Sequence, residues 1–396
     1  MFPAAPAAPR PTAMNEQLTV KNFGPIKDAT VDFKRVTVFI GPTGGGKSTL
    51  AKLICIYRES RFSFEDKKHA KNTFSNYLLS NYFNNKSSIV IQNMSGRTKK
   101  LNKNYIVSTT SIHDKYKNDL SLIYDVDRRE EILKSLNKVT IENLKSIVDK
   151  TYRALNSDSI TTYIPSERMF SSSIEYSWPG LLRDDIGLPK ILLNFSNIFT
   201  NAKRVIESLE ADFINLEYIH KDNIDYIKIP NSKKMIRLNE AASGVQSLLP
   251  LMIVIEYLTK EDLQIHSFII EEPELNLYPT AQQGLMNWLV EKCTAGENDL
   301  TITTHSPYIL ASCNLLMEAY KVWQDRPELA AEIEKIVPRA SWINPDEFSA
   351  YYVADGTVRS IQDERTDLIG GNELDAVSGQ ISDAFRKLLR LKKQPA

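Results

Sequence analysis

Two kinds of hydrophobic pattern alternate along this chain. Leu18 to Ile26 and Ala29 to Phe33 place apolar and polar residues in alternation around a Gly24-Pro25 step, which predicts a hairpin of half-buried strands. Val36-Thr37-Val38-Phe39-Ile40, Ser267-Phe268-Ile269-Ile270 and Leu300-Thr301-Ile302-Thr303-Thr304 are instead unbroken, β-branched runs, as expected of buried parallel strands. Helical patterns are predicted from Thr49, over about Leu192 to Leu216, and over Leu248 to Leu258. Strands interleaved with helices make this an α/β chain.

Between about 60 and 158 the pattern changes. This stretch is rich in Lys, Asn, Ser and Tyr, with short apolar runs at Ile89-Val90-Ile91 and Tyr105-Ile106-Val107 and helical periodicity from about Arg128 to Leu155. It reads as a mainly helical lobe, 61–158, inserted into a nucleotide domain formed by 14–60 and 159–360, whose core resumes near Thr161 to Pro165. Residues 1–13 are Ala/Pro-rich and read as a leader or extended start. Residues 361–396 read as a helical tail, with an amphipathic helix from Gly379 to Leu391.

With 396 residues, 42% hydrophobic and 25% charged, the chain is long enough to bury a full core. No apolar run approaches the roughly 18 residues that span a bilayer, so no membrane partner is expected. Cys55, Cys293 and Cys313 lack metal or disulfide spacing, which points to a reducing cytoplasm. Lys plus Arg and Asp plus Glu both number 49, but the balance is uneven along the chain. Lys67, Lys68, Lys71, Lys86, Arg97, Lys99, Lys100 and Lys103 fall in a stretch without Asp or Glu, making 67–105 a candidate surface for nucleic acid or a partner.

The chemistry begins at Gly41-Pro42-Thr43-Gly44-Gly45-Gly46-Lys47-Ser48-Thr49, which fills the pattern G-x-x-x-x-G-K-S/T between a predicted strand and a helix start. Backbone N–H groups of such a loop cradle phosphate, Lys47 reaches the β- and γ-phosphates, and Ser48 holds Mg²⁺. Downstream, Phe268 to Ile270 runs into Glu271-Glu272-Pro273-Glu274, either a solvated acidic turn or a Walker B end. In the second case Glu271 acts on the metal and Glu272 on the attacking water. Leu300 to Thr304 ends in His305, suited to a γ-phosphate at a sheet edge. Ser243 and Gly244, at a predicted helix N-cap, are either an ordinary cap or an anion site.

In this order the four elements resemble the ATP-binding-cassette ATPase heads of the soluble branch that includes structural-maintenance-of-chromosomes, RecF-like and overcoming-lysogenization-defect proteins, AAA-family P-loop ATPases. "YIPSER" at Tyr163 to Arg168, "AASGVQS", "IIEEPELNLYP" and "ITTHSPYIL" carry the likeness over roughly Leu18 to Glu59 and Thr161 to Leu316. Two positions depart from it: the Ser-Gly-Val-Gln-Ser signature lacks a second glycine, and Tyr278 stands where many relatives have histidine. The resemblance implies an ATPase head with a mixed core sheet flanked by helices, using ATP and Mg²⁺. It also implies a homodimer or higher homo-oligomer in which Ser243, Gly244 and Gln246 of one copy meet the nucleotide on Lys47 of the other. Glu272 and His305 would then be catalytic, and Gln92 a candidate metal-contacting glutamine. Glu167 and Arg168 either couple the insert to the site or form an internal ion pair.

Fewer than a hundred residues follow His305, and Asp325, Asp346, Asp355, Asp363 and Asp367 form no Asp-x-Asp pair, so no nuclease is expected in cis. The expectation is therefore slow, dimer-dependent ATP hydrolysis that regulates a separate effector, a nuclease, as in bacteriophage-defence ATPase–nuclease pairs. The alternative is a RecF-like DNA-binding repair or recombination ATPase.

Overall fold

A computed structural model describes residues 16–60, 67–92, 98–102, 107–110, 159–174, 187–229, 234–260 and 264–370. Among them, eleven strands form one sheet and four form a second. The predicted hairpin is β1 (Glu16–Phe23) and β2 (Ile26–Phe33), antiparallel with Phe23 opposite Ile26. The unbroken apolar runs are β3 (Val36–Ile40), β12 (His266–Glu271) and β13 (Asp299–Thr304), in which every residue is buried. They pair in parallel, β3 with β13 and β13 with β12, and β7 (Ile160–Ile164) adds to β12. On the other side of β3, β14 (Phe348–Ala354) pairs in parallel and β15 (Thr357–Ser360) turns back to reach β2.

Burial on both faces follows from helices on both sides. One face packs on α1 (Lys47–Ser60) and α2 (Lys67–Asn76) through Leu50, Ile54, Phe74 and Ile269. The opposite face buries Val38, Phe268, Ile270 and Ile302. It packs on α4 (Lys190–Ala202), α5 (Ser243–Lys260), α6 (Pro279–Cys293) and α7 (Pro307–Asp325). A short α3 (Met169–Ile174) follows β7. Among the described residues no helix is long and apolar enough to cross a membrane.

Two expectations change, and the insert adds strands to the main sheet. The described part of 61–158 holds α2 and the strands β4 (Phe83–Gln92), β5 (Thr98–Asn102) and β6 (Val107–Thr110), which extend the main sheet, while the helical part expected of this insert lies outside the described residues. β4 pairs with β1, placing Ile91 and Ile89 opposite Leu18 and Val20, so these strands cover an edge that would otherwise be open. The helix predicted over Leu192 to Leu216 stops at Ala202, where the N–H groups of Val205 and Ile206 turn back to its carbonyl. Beyond it lie β8 (Ser208–Ala211), β9 (Leu216–Lys221), β10 (Ile224–Lys228) and β11 (Met235–Arg237), an antiparallel sheet in which cross-strand pairing overrides helical periodicity. Its β9–β10 turn, Asp222-Asn223, has both residues at positive φ, the turn that a two-residue hairpin requires. Lastly, Ser243 is the first helical residue of α5 and not its cap, since the Ala242 carbonyl accepts from the N–H groups of Val245 and Gln246. The 1–13 leader, the periodicity from Arg128 to Leu155 and the 379–391 helix lie outside the described residues.

Candidate functional site

Parallel pairing brings the C-terminal ends of β3, β13 and β12 side by side, and the loops leaving them carry Gly41, His305 and Glu272. A cavity of about 400 Å³ opens there, lined by Thr43, Gly44, Gly46, Lys47, Ser48 and Thr49 on one side and by Glu272 and His305 on another. Gly24, Pro25 and Tyr82 complete its rim.

The phosphate loop lies tight against the sheet. A Cβ on Gly41 or Gly45 would sit 2.2 or 2.4 Å from the Val353 carbonyl oxygen of β14, so both positions need glycine for close approach. The Lys47 ammonium donates to the carbonyls of Gly41 (2.9 Å) and Pro42 (3.0 Å), arching over its own loop. Burial lowers its pKa, and the charges of Glu272, Glu274 and Glu271 pull the other way, leaving a cation that gains from an incoming anion.

On the facing side the His305 Nε2 lies 3.3 Å from a Glu272 carboxylate oxygen. Glu272 sits at φ 41°, a left-handed conformation costing a non-glycine residue on the order of 1 kcal/mol. Its N–H donates to the Thr303 carbonyl (2.8 Å), which fixes one side of the strained residue. Glu274 fixes the histidine loop: one carboxylate oxygen accepts from the Thr304 hydroxyl (2.5 Å) and the His305 N–H (2.9 Å). Burial raises the pKa of Glu274, against these hydrogen bonds. Glu271, 4% exposed, lies behind the cavity wall, and its Oε1 has no hydrogen-bond partner. The neighbouring Tyr163 hydroxyl is held well above its usual pKa by burial and by the charge of Glu271.

Beneath the acidic turn lies Arg168, fully buried. It forms no ion pair with Glu167, whose carboxylate accepts from the Ser166 hydroxyl. Its guanidinium donates instead to backbone carbonyls of Pro165, Ser247, Glu271, Glu272 and Pro273 at 2.7–3.2 Å. Burial brings its pKa down to about 10, opposed by the nearby glutamates.

Residues 14–310, about three quarters of the sequence, match the family described as AAA ATPase domain. The chain belongs to that family. No curated protein matches it significantly. Among solved structures, this AAA ATPase chain is similar to the SMC head domain from Thermotoga maritima (12% identity, TM-score 0.41, 89% of this chain and 99% of that one). It is similar also to the Smc head domain with an extended coiled coil bound to the C-terminal domain of ScpA from Pyrococcus furiosus (13%, 0.38, 96% and 100%). A third is the recombination mediator RecF (12%, 0.35, 88% and 99%).

The AAA ATPase site thus gathers the phosphate loop, Glu272 and His305 in one cavity, with Glu271 behind it. Four sequence candidates lie elsewhere. Ser243 is exposed at the start of α5, outside the cavity lining, and Gly244 is buried against the Asn276 carbonyl, 2.5 Å from where a Cβ would be. The Gln246 amide turns onto its own chain, donating to the carbonyls of Ala241 (2.7 Å) and Asn239. Gln92 is a correction: it pairs with Gln17, at the opposite end of β1 from the cavity-lining Gly24, so it cannot contact a metal at Ser48. Sequence reasoning also missed Tyr82, which sits over Gly24 in a segment with no motif, and the bracing role of Glu274, visible as the third acid of the turn.

Proposed function

We propose that two copies of this chain close on ATP bound at the Lys47 loop and hydrolyse it slowly. One observation carries the hydrolytic part of this reading: a carboxylate and an imidazole meet at 3.3 Å across a cavity whose facing side is a phosphate loop. The triphosphate lies on the loop amides, at the positive N-terminus of α1, and Lys47 exchanges its two carbonyl contacts for phosphate oxygens. Glu272 orients and deprotonates water, while His305 donates to the γ-phosphate and holds Glu272 in place.

The family implies a divalent cation, and the residues fit one. Ser48 stands in the first turn of α1, and Glu271 offers a buried oxygen without a hydrogen-bond partner. Among the described residues no three His, Cys, Asp or Glu side chains group as a metal site. A cation here would therefore draw on one or two protein oxygens plus phosphate and water, as Mg²⁺ does. When bound it would neutralise charge developing on the phosphates.

The dimeric part rests on Ser243, exposed at a helix start and absent from the cavity of its own copy. A helix N-terminus meeting the opposing nucleotide makes ATP a ligand of the dimer and stabilises it by mass action. Two outputs follow. Regulation of a separate nuclease in bacteriophage defence rests on the sequence resemblance. RecF-like DNA binding is favoured by Lys68, Lys71, Lys86 and Lys100, all exposed on α2, β4 and β5. The test is Glu272→Gln: ATP affinity stays within about threefold of wild type while turnover falls roughly 1,000-fold, the scale of a lost general base. Turnover within twofold of wild type contradicts the reading.

A further inference from the structure

Arg168 is an unusual use of a buried charge. Arginine normally enters a protein interior opposite a carboxylate or phosphate, yet the partners of this one are five main-chain oxygens. Three belong to consecutive residues, Glu271, Glu272 and Pro273, which form the turn that presents the acids. A fourth, Pro165, follows the end of β7, and the fifth, Ser247, lies in α5 one turn in from Ser243. The fork of donors therefore joins two elements that the sequence separates by more than twenty residues.

Each end of this joint carries a backbone irregularity. Glu272 keeps a left-handed backbone without being glycine: its N–H donates to the Thr303 carbonyl, and its carbonyl accepts both from the Leu275 N–H (3.1 Å) and from Arg168 (2.8 Å). Such a conformation persists only where its surroundings over-determine it. In α5, Pro250 lies inside the helix and has no N–H for the carbonyl four residues earlier, so the first turn lacks a rung of its ladder. That turn carries Ser243 and Gly244 at its outer end, and Ser247 lies one turn further in, bonded to Arg168.

We propose that Arg168 is a positioning residue that sets the backbone of Glu272 and couples it to the first turn of α5, so that the position of the water-activating carboxylate and the seating of the Ser243 helix start are one equilibrium. The proposal deepens the reading above and rests on Glu272 acting on water. Its physical content is geometric. A shift of the α5 start moves the Ser247 carbonyl, the guanidinium follows, and the carbonyls of Glu271 to Pro273 follow the guanidinium. Association at α5 would thereby complete the hydrolytic geometry from behind, without Arg168 touching nucleotide. Lysine cannot substitute, because one ammonium with three donors cannot span five acceptors fixed around a planar fork.

The experiment uses the full chain and compares wild type, Arg168→Lys, Arg168→Gln, Glu272→Gln and Arg168→Lys/Glu272→Gln. Nucleotide affinity is read by titration with a fluorescent ATP analogue, turnover by phosphate release, and association by sedimentation with ATP. In Arg168→Lys, kcat is expected to fall roughly 100-fold, the effect of an ångström-scale misplacement, with affinity for the analogue within about threefold of wild type. Arg168→Gln should fall at least as far. In the double variant, the ATP concentration for half-maximal association should rise by about tenfold over Glu272→Gln alone. If Arg168→Lys turns over within twofold of wild type, or loses affinity and folded fraction in step with kcat, the positioning role is overturned. If Glu272→Gln turns over like wild type, the reading of the site itself has failed. If Glu272→Gln fails to associate with ATP, the dimer reading has failed, and the kcat of Arg168→Lys still decides whether the acidic turn is held by this residue.

Discussion

The hydrolytic half of the site and the α5 start are built to opposite specifications. Lys47, Glu272 and His305 hang from strands whose every residue is buried, and their loops are cross-braced by Glu274, Thr303 and Arg168. Ser243 is exposed, caps nothing, opens a helix weakened by Pro250, and lies outside the cavity that its own copy encloses. One half is preorganised for phosphate within a single copy. The other is presented outward. In the dimer proposed above, the nucleotide held by one chain still lacks a contact that the α5 start of the second chain supplies.

Variants sort by which half they touch. Lys47→Ala removes the buried cation that the loop carbonyls hold in reserve, and should weaken ATP binding by at least about 100-fold in calorimetry, the scale of a lost charged contact. His305→Ala should lower turnover by roughly 100-fold in phosphate-release assays, as expected for loss of a transition-state donor, with affinity changed less than about threefold. Gly45→Ala drives a methyl group into the Val353 carbonyl and should destabilise the loop by about 1–3 kcal/mol, seen as weaker ATP binding and a lower Tm. Least affected should be ATPase activity in Lys86→Glu/Lys100→Glu, within about twofold of wild type, because both side chains are exposed and neither lines the cavity. The same variant should reduce DNA binding and its salt dependence if those strands grip a phosphate backbone. Unchanged binding at two salt concentrations would leave them a solvated face.

The same division governs what could be read from the chain. Strands buried on both faces need continuous apolar runs, so Val36 to Ile40, Phe268 to Ile270 and Leu300 to Thr304 announced themselves, and the chemistry at their ends came with them. The phosphate loop was legible because close approach to Val353 leaves no room for any residue but glycine at positions 41 and 45. The outer strands were harder. β4 and β5 alternate weakly and carry Lys and Asn, and it is pairing in series, β4 on β1, β5 on β4 and β6 on β5, that makes these segments strands. The small sheet after Ala202 had one local sign, Asp222-Asn223, in a region whose helical spacing pointed elsewhere. Gln92 illustrates the limit most clearly: register, which no motif encodes, puts it at the far end of β1. Arg168 was visible as part of a motif, but its partners are backbone carbonyls and leave no trace in side-chain pattern.

In the proposed dimer, the exposed α5 start completes the nucleotide site of a second copy. The most direct test is sedimentation of Glu272→Gln, which should retain ATP, against Ser243→Arg/Glu272→Gln, with and without ATP and Mg²⁺. Glu272→Gln should shift from monomer to dimer on adding ATP, while the double variant binds ATP with similar affinity and stays monomeric because a bulky cation blocks the helix start. Equal ATP-dependent dimerisation of the two proteins would contradict it.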